Sequence, residues 1–404
     1  MHREEPMNKR PVIVVGAGPV GLIAALALRH YGVPATVLEA QSYGRVRPGS
    51  RAIFIHRATL QSLEEISPGL GLELAGEGLV WPIKRTFVRG QEVYAKTYPA
   101  PQPGRLPPFT SLPQVRIERY LYQACLSSGV EFVWSCAVQE LSAQQDGVRL
   151  VTASQEVWDA DYVIGADGAH SAVRHGVGIS MEGTRSPNTF IVVDVAEDVD
   201  HPLPLARVFH YEHPAVGGRN VLFVPFAGGW RVDLQLLPGD DVEQYSGTDG
   251  VRAWLPLVMD EAYAERVTWV STYQFLQVVA QSFVDPFRRV LLVGEAAHLF
   301  APFGARGLNS GVADAVSAAS AVTKALRAED SSQIEHFSEE RHQAALYNRD
   351  AAGIALEHIQ GTSDGMRVKR YIGSILAPVW NDVGRWLDEG PYGPRSGPSQ
   401  TTKY

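Results

Sequence analysis

The chain has 404 residues, room for two ordinary domains or one large discontinuous one. Hydrophobic residues make up 45% and charged residues 20%, the balance of a globular protein in water, and a formal charge of −8 leaves no basic footprint for nucleic acid or an anionic membrane. Cys125 and Cys136 fit neither a metal-site spacing nor a disulfide scaffold, and read as reduced thiols of a cytoplasmic enzyme.

Residues 11–28, PVIVVGAGPVGLIAALAL, follow Lys9 and Arg10 and superficially match a signal peptide or short membrane span. A span needs about 20 apolar residues free of early helix breaks. Gly16, Gly18, Pro19 and Gly21 fall within the first eleven of these residues, so no membrane span is expected. Val12–Val15 is instead a short buried parallel strand bounded by Gly16. Leu22–Tyr31 reads as a helix that stops at Gly32, and Ala35–Leu38 as a second buried strand ending in Glu39. Together they make a βαβ unit.

From Arg51 to about Leu74 the pattern is helical. Residues 78–110 mix strand formers with Pro99, Pro101, Pro103, Pro107 and Pro108, an irregular connection. A helix is expected around Ile117–Ser128 and strands through 130–164. Between 184 and 282 five strands separated by Gly/Pro turns are predicted: Phe190–Val195, Arg207–Tyr211, Val221–Pro225, Trp230–Leu236 and Thr268–Tyr273. Arg289–Val293 returns to a short buried strand, and a helix runs from about Leu308 to Leu326.

The fold class is therefore α/β. A discontinuous Rossmann-like cofactor domain (8–75, 100–183 and 283–330) holds an inserted antiparallel β-sheet domain for substrate (76–99 and 184–282). Helices follow over 331–389, and the Gly/Pro/Ser-rich tail 390–404 is expected to be disordered.

Three segments carry chemistry. In Gly16-Ala17-Gly18-Pro19-Val20-Gly21, Gly16 permits a tight turn, Gly18 lets the backbone approach a pyrophosphate, and Gly21 lets helix and strand pack closely. Free N–H groups and the positive dipole end of the helix would face the phosphates. Glu39, with Ala40 after it, ends the second strand where it can bind adenosine ribose hydroxyls. The fingerprint alone serves FAD and NAD(P) equally. Residues 289–311, RVLLVGEAAHLFAPFGARGLNSG, place Glu295 after a strand, Pro302 and Gly304 in a loop, and Gly307, Leu308 and Asn309 at a helix start. An acidic residue there can accept hydrogen bonds from ribityl hydroxyls, and the helix N-terminus suits negative charge on a reduced flavin. Asp161–Arg174, DYVIGADGAHSAVR, reads as strand, Asp167-Gly168 turn and helix, with Ser171 or His170 as cap.

In their order along the chain these segments resemble the class A flavoprotein monooxygenases, the FAD-dependent aromatic hydroxylases of the para-hydroxybenzoate hydroxylase type. Glu295 stands where that family has aspartate. The resemblance covers 11–53, 110–180 and 285–325, and the β insert only in outline. It implies FAD as cofactor and NADPH or NADH as transient co-substrate. The implied reaction uses O2 to hydroxylate a small phenolic molecule through a flavin C4a-hydroperoxide.

The same resemblance places Asp167 near the pyrophosphate and the nicotinamide route, Arg51 near flavin and pyrophosphate, Gln114 on the ribityl chain, and the carbonyl of Pro302 against the substrate. Arg231 opens a strand, Arg231-Val232-Asp233-Leu234-Gln235, whose polar residues share one face. It resembles an arginine that helps move the flavin, while a solvated polar face explains the pattern equally well. His298 is read as structural. Arg207, His210, Tyr211, His213, Tyr273 and Gln274 could line the pocket, but sequence does not orient them. No second GxGxxG marks an NAD(P)H site. About 80 residues follow the Leu308 helix, so the thioredoxin-like domain of larger members is not expected. A monomer or homodimer is expected, without nucleic acid, membrane or metal partners. The alternatives are a non-hydroxylating flavoenzyme (halogenase, reductase or oxidative decarboxylase) and a non-catalytic FAD-binding protein. A halogenase Trp-x-Trp-x-Ile-Pro signature is missing after Trp230.

Overall fold

The computed structural model describes residues 9–394 apart from 46, 52 and 329. Strand Lys9–Val15 is fixed by four consecutive β-branched residues, Val12 to Val15, all buried. It pairs in parallel with Thr36–Leu38 on one side and Val157–Gly165 on the other. Val290–Leu292 then pairs in parallel with Val157–Gly165. Glu131–Val133 extends one edge, and antiparallel strands Gly147–Thr152 and Val138–Gln144 extend the other. Helix Pro19–His30 is buried at every residue from Gly21 to Leu28, because it sits between this sheet and helices Gln114–Ser127 and Arg306–Ala328. Its three alanines, Ala24, Ala25 and Ala27, keep those neighbours close.

The stretch from Arg51 to Leu74 is not helical throughout. Phe54–His56 is a strand paired antiparallel with Phe109–Ser111, and the helices are Arg57–Ile66 and Leu70–Glu77. Phe54 stacks on Phe109 and meets Trp81. Such aromatic cross-strand packing outweighs a local helical preference.

The second sheet has eight strands, in the order His298–Leu299, Val267–Ala280, Met181–Ala196, Gly229–Gln235, Arg219–Phe226, Ala206–His213, Ile83–Val88 and Gln91–Thr97. All five strands expected between 184 and 282 are there. The sheet is not purely antiparallel, however: Ala206–His213 and Ile83–Val88 run parallel. The second of these arrives from a hairpin far earlier in the chain, so no tight turn forces the pair to reverse. Residues 242–266 fold as short helices and 3-10 turns, which the strand-and-turn pattern does not announce.

Alternation along the strands separates two faces. Ile191, Val193, Val195, Val221, Phe223, Trp230, Val232 and Leu234 build an outer core with Trp254, Leu255 and Tyr263. Phe190, Phe209, Tyr211 and Phe275 face inward and pack with Ala301 and Phe303 and with Ala352, Ala355, Leu356 and Ile359 of helix Ser332–Gln360. The tail is partly ordered, contrary to expectation. Gly390–Tyr392 is a 3-10 turn with Pro391 buried, and Arg306 donates to the carbonyls of Tyr392 (3.0 Å) and Pro394 (2.5 Å). Residues 395–404 lie outside the described residues. Among the described residues no helix is long and apolar enough to cross a membrane, and no cluster of His, Cys, Asp and Glu could hold a metal.

One buried charge network ties the layers together. Asp314, on helix Arg306–Ala328, accepts from Arg341 Nε at 2.8 Å and from the backbone N–H of Gly294 at 3.2 Å, and sits 2.6 Å from His298 Nε2. Burial opposes the carboxylate charge, but His298 and Arg341 hold Asp314 below the ordinary carboxylate range. Asp314→Asn should cost about 3–5 kcal/mol, because Arg341 is left buried without its counter-charge. Urea unfolding of the flavin-loaded protein measures this. Because the folded group titrates below its unfolded value, the contribution is present above about pH 4 and is lost as pH falls through the folded value. A variant within 0.5 kcal/mol of wild type, on the scale of surface changes, would contradict the assignment.

Candidate cofactor and substrate site

Three chain segments meet at the carboxyl ends of the parallel strands. A β-carbon on Gly16 would lie 2.5 Å from the carbonyl oxygen of Ala166, and one on Gly21 would lie 1.9 Å from the carbonyl oxygen of Gly16. Gly16 also has φ +102, which other residues rarely adopt. Gly294 and Gly311 both press on Val20, at 3.0 and 2.6 Å from such β-carbons. So the loop Gly16–Gly21, the Asp167-Gly168 turn and the Gly294–Glu295 turn form one crevice. Open α/β sheets bind ligands at such a place.

Helix Pro19–His30 starts at Gly18 with no side-chain cap, and Pro19 has no N–H. Its first-turn amides are therefore available to an anion. A β-carbon on Gly18 would meet nothing closer than Arg47 Nη1 at 3.5 Å, so the approach to the backbone is open. Arg45 Nη2 donates to the carbonyl of Ala17 at 2.6 Å, and its Nη1 lies 3.4 Å from Glu39. Arg47 pairs with Glu118 at 3.5 Å, and Gln114 donates to Glu118 at 2.8 Å. Burial lowers the Arg45 guanidinium from its ordinary value, opposed by Glu39. Two arginines, uncapped amides and the open approach at Gly18 fit a dinucleotide pyrophosphate.

The expected residues distribute as follows. Glu39 is buried and accepts from the backbone N–H groups of Ala17 (2.7 Å) and Gln41 (3.0 Å), while Ala40 is exposed beside it. Asp167 accepts from Ser171 Oγ at 2.5 Å and from the Val173 N–H at 3.1 Å, so it shapes the turn as well as facing the crevice. Burial raises its pKa, opposed by those bonds. Ser171 caps the helix Ala172–Gly176, as the sequence allowed. Glu295 is exposed, with Oε2 4.0 Å from where a β-carbon of Gly168 would stand. The longer acid thus reaches across to the Asp167-Gly168 turn.

Asn309 commits its whole side-chain amide to the scaffold. It accepts from His56 N (3.0 Å) and Thr59 Oγ1 (2.6 Å) and donates to the carbonyls of Phe54 (3.0 Å) and Ala305 (2.7 Å). It pins the helix start instead of offering its side chain to a cofactor. Gly304 has φ +81, Gly307 has open space around it, and Leu308 packs partly on the core. The carbonyl of Pro302 accepts the N–H of Ala305 at 2.9 Å, leaving one lone pair for a substrate.

A second contact joins crevice and sheet. Ser50 donates to Asp194 twice, from N at 2.6 Å and from Oγ at 2.7 Å. Burial raises the Asp194 pKa, opposed by these bonds. Arg231, opposite Asp194 in the sheet, donates to Asp233 at 2.7 Å and to the carbonyl of Arg51 at 2.9 Å. Its side chain is 11% exposed, which removes the solvated-face reading. Burial works against the Arg231 charge, yet Asp233 and Asp194 raise its pKa overall. Arg51 itself has φ +51 and is exposed, and its side chain donates to the carbonyl of Pro48 (3.2 Å). Gly49 lies under Trp269, whose ring would be 2.4 Å from a β-carbon there. Of the pocket candidates, Arg207, Tyr211 and Tyr273 share the inward face, while His210 lies in an apolar cleft of 820 Å³ on the outer face. Burial lowers the His210 pKa to about 4, so it is neutral near pH 7.

Sequence reasoning missed Arg45, Arg47, Ser50 and Asp194. The signal available was the Arg45-x-Arg47 pair after the Gly44 turn. Nothing local marked Asp194, whose role depends on a contact 144 residues away.

Fold and crevice together define a flavin-type dinucleotide-binding protein with a substrate-sized sheet attached. A model of the family described as "FAD binding domain" matches residues 9–352, and the chain belongs to this family, that of the class A flavoprotein monooxygenases. It is 30% identical over 315 residues, 76% of the chain, to a 3-(3-hydroxy-phenyl)propionate/3-hydroxycinnamic acid hydroxylase of Burkholderia cenocepacia. It is 29% identical over 324 residues, 75% of the chain, to a 6-methylpretetramide 4-monooxygenase of Streptomyces rimosus. The chain spans about half the length of these relatives, 56% and 54%. The crystal structure of p-nitrophenol 4-monooxygenase from Pseudomonas putida superposes with a TM-score of 0.76 at 24% identity, over 96% of this chain and 100% of that one, a likeness of fold.

Gly21→Ala tests the crevice. The added carbon would fall 1.9 Å from the Gly16 carbonyl oxygen, so the loop must move. Purified variant should retain at most about a tenth of wild-type flavin by visible absorbance, a loss of roughly 1.4 kcal/mol or more in binding. Full flavin content would place the cofactor elsewhere.

Proposed function

We propose that this chain is an FAD-dependent monooxygenase that uses NADH or NADPH and O2 to hydroxylate a small aromatic, phenolic molecule. The observation that carries this reading is the clamp between crevice and sheet. Ser50–Asp194 and Arg231–Arg51 fix the inward face of the sheet against the loop that borders the cofactor crevice. The relatives support the class of reaction, since they are named as a hydroxylase of 3-(3-hydroxy-phenyl)propionate and 3-hydroxycinnamic acid and a 4-monooxygenase of 6-methylpretetramide.

When bound, FAD would accept a hydride from the nicotinamide and activate oxygen. The chain's own residues have the remaining tasks. Arg45, Arg47 and the amides at the start of helix Pro19–His30 would hold the pyrophosphate, with Glu39 on the adenosine ribose. Gln114, Asp167 and Glu295 would meet the ribityl chain and its phosphate, and the N-terminus of helix Arg306–Ala328 would favour negative charge on the reduced ring. Phe190, Phe209, Phe275 and Phe303 line the approach with apolar surface and so exclude water from the reacting centre. The free lone pair of the Pro302 carbonyl would accept a hydrogen bond from the substrate's hydroxyl and orient the ring. Arg231 acts by position: its bond to the Arg51 carbonyl holds the loop that must shift if the flavin moves to meet the nicotinamide.

A panel of phenols should include compounds that stimulate NAD(P)H consumption by the yellow protein. A protein that stays oxidised with every phenol is a flavin binder or a different flavoenzyme. Arg231→Ala should slow flavin reduction at least about tenfold, equal to 1.4 kcal/mol of barrier, with much less effect on FAD affinity. Unchanged reduction in a stopped-flow measurement would remove Arg231 from the mechanism.

A further inference from the structure

Helix Asp364–Leu376 turns an apolar face to solvent, while its inner face is fastened to the body of the protein. Arg370 is buried and donates to the carbonyl of Ile359 at 2.8 Å and to Glu212 at 2.9 Å. A β-carbon on Gly373 would lie 3.1 Å from the ring of Trp386, so helix Asn381–Glu389 packs closely there. These contacts fix the rotation of the helix about its axis. On the side opposite Arg370 and Gly373 the helical period places Val368, Ile372 and Ile375 in one row. Val379, in the turn that follows, continues the row, and Tyr371 and Trp380 flank it. Each of these six residues is between 49% and 85% exposed.

Monomers rarely show an apolar patch of this extent. The six side chains present on the order of 700 Å² to solvent, near the about 800 Å² that each side of a standard protein interface buries. Their spacing says what fits. Val368, Ile372, Ile375 and Val379 lie four, three and four residues apart, the interval of a coiled-coil seam. That interval reads the same in both directions. A second copy of the helix can therefore lie across the first, antiparallel about a two-fold axis. With the axis between Gly373 and Ser374, Val368 meets Val379 and Ile372 meets Ile375, each pair occurring twice. Tyr371 then meets Leu376, and Arg367 comes opposite Trp380, a cation beside an aromatic ring.

Other covers fit less well. Residues 395–404 contain Tyr404 as their one large apolar side chain, too little to cover the row. Arg367 pairs with Asp364 and Arg385 with Asp382, so this side offers an anionic membrane little net charge, in a chain of formal charge −8.

We propose that the protein forms a two-fold dimer through the outward face of helix Asp364–Leu376, with the helices of the two copies antiparallel. The inner contacts of Arg370 and Gly373 hold that face ready, so little is lost in ordering it on association. The inference is independent of the reaction the protein catalyses.

Analytical ultracentrifugation of the flavin-loaded full chain tests this. Wild type should sediment as a dimer above about 10 μM. Ile372→Lys and Ile375→Glu each set charges against apolar side chains in the dimer and should weaken it at least about 30-fold. Both positions are exposed, so flavin content should not change. Mixing the two variants should restore dimers, because the introduced ammonium of one copy faces the introduced carboxylate of the other and one Ile372–Ile375 pair stays intact. Wild type that remains monomeric at about 100 μM, or a dimer that both variants leave intact, would overturn the proposal. So would a mixture that associates no more tightly than either variant by itself. A monomer that floats with phosphatidylglycerol vesicles would make this face a membrane contact and would overturn it too.

Discussion

The rest of the structure depends on the close approach of Gly16, Gly21 and Ala166, at the carboxyl ends of neighbouring parallel strands. It leaves no room for a side chain: 1.9 Å at Gly21 and 2.5 Å at Gly16 separate a notional β-carbon from carbonyl oxygens. The crevice depends on that intimacy, because strand register alone aligns Val15 with Gly165 and Gly165 with Leu292. Three segments distant in sequence thereby end on one line. Val20, wedged on Gly294 and Gly311, locks the last of them in place. Right-handed crossovers and a twisted parallel sheet make such a line the natural site for a dinucleotide.

The second constraint is the bond between this layer and the eight-stranded sheet. It is polar where a hydrophobic contact would have held as well. Ser50–Asp194 is short and buried, Arg231–Asp233 is half-buried and Arg231–Arg51 lies at the surface, and all three are directional bonds that fix orientation more than they add stability. The helices after residue 331 close the other end of the inward face. Tyr211 donates to the carbonyl of Leu387 at 2.8 Å, and Asn220 to that of Ile359 at 2.8 Å. The space between clamp and helices has apolar walls, built from Phe190, Phe209, Phe275 and Phe303.

The cofactor layer was legible in sequence because each of its elements has a local cause. Val12–Val15 is β-branched, Gly16 needs positive φ, and Asp167-Gly168 needs a turn. The fold of residues 54–56 was not legible, since Phe54 becomes a strand through Phe109 and Trp81, which lie far along the chain. Asn309 shows a subtler limit. Its position at the helix start was readable, but not that its side-chain amide would be taken up by four scaffold partners. The alternating pattern of Arg231, Asp233 and Gln235 defined a face without saying whether water or protein covered it.

The central claim is that this crevice and this sheet together insert one oxygen atom into a phenolic ring. Product formed under 18O2 with NAD(P)H, examined by mass spectrometry, tests it most directly. The account predicts a product heavier than the substrate by a single 18O atom, with none incorporated from labelled water. Product without 18O, or NAD(P)H oxidation that yields only hydrogen peroxide with every phenol, would contradict it.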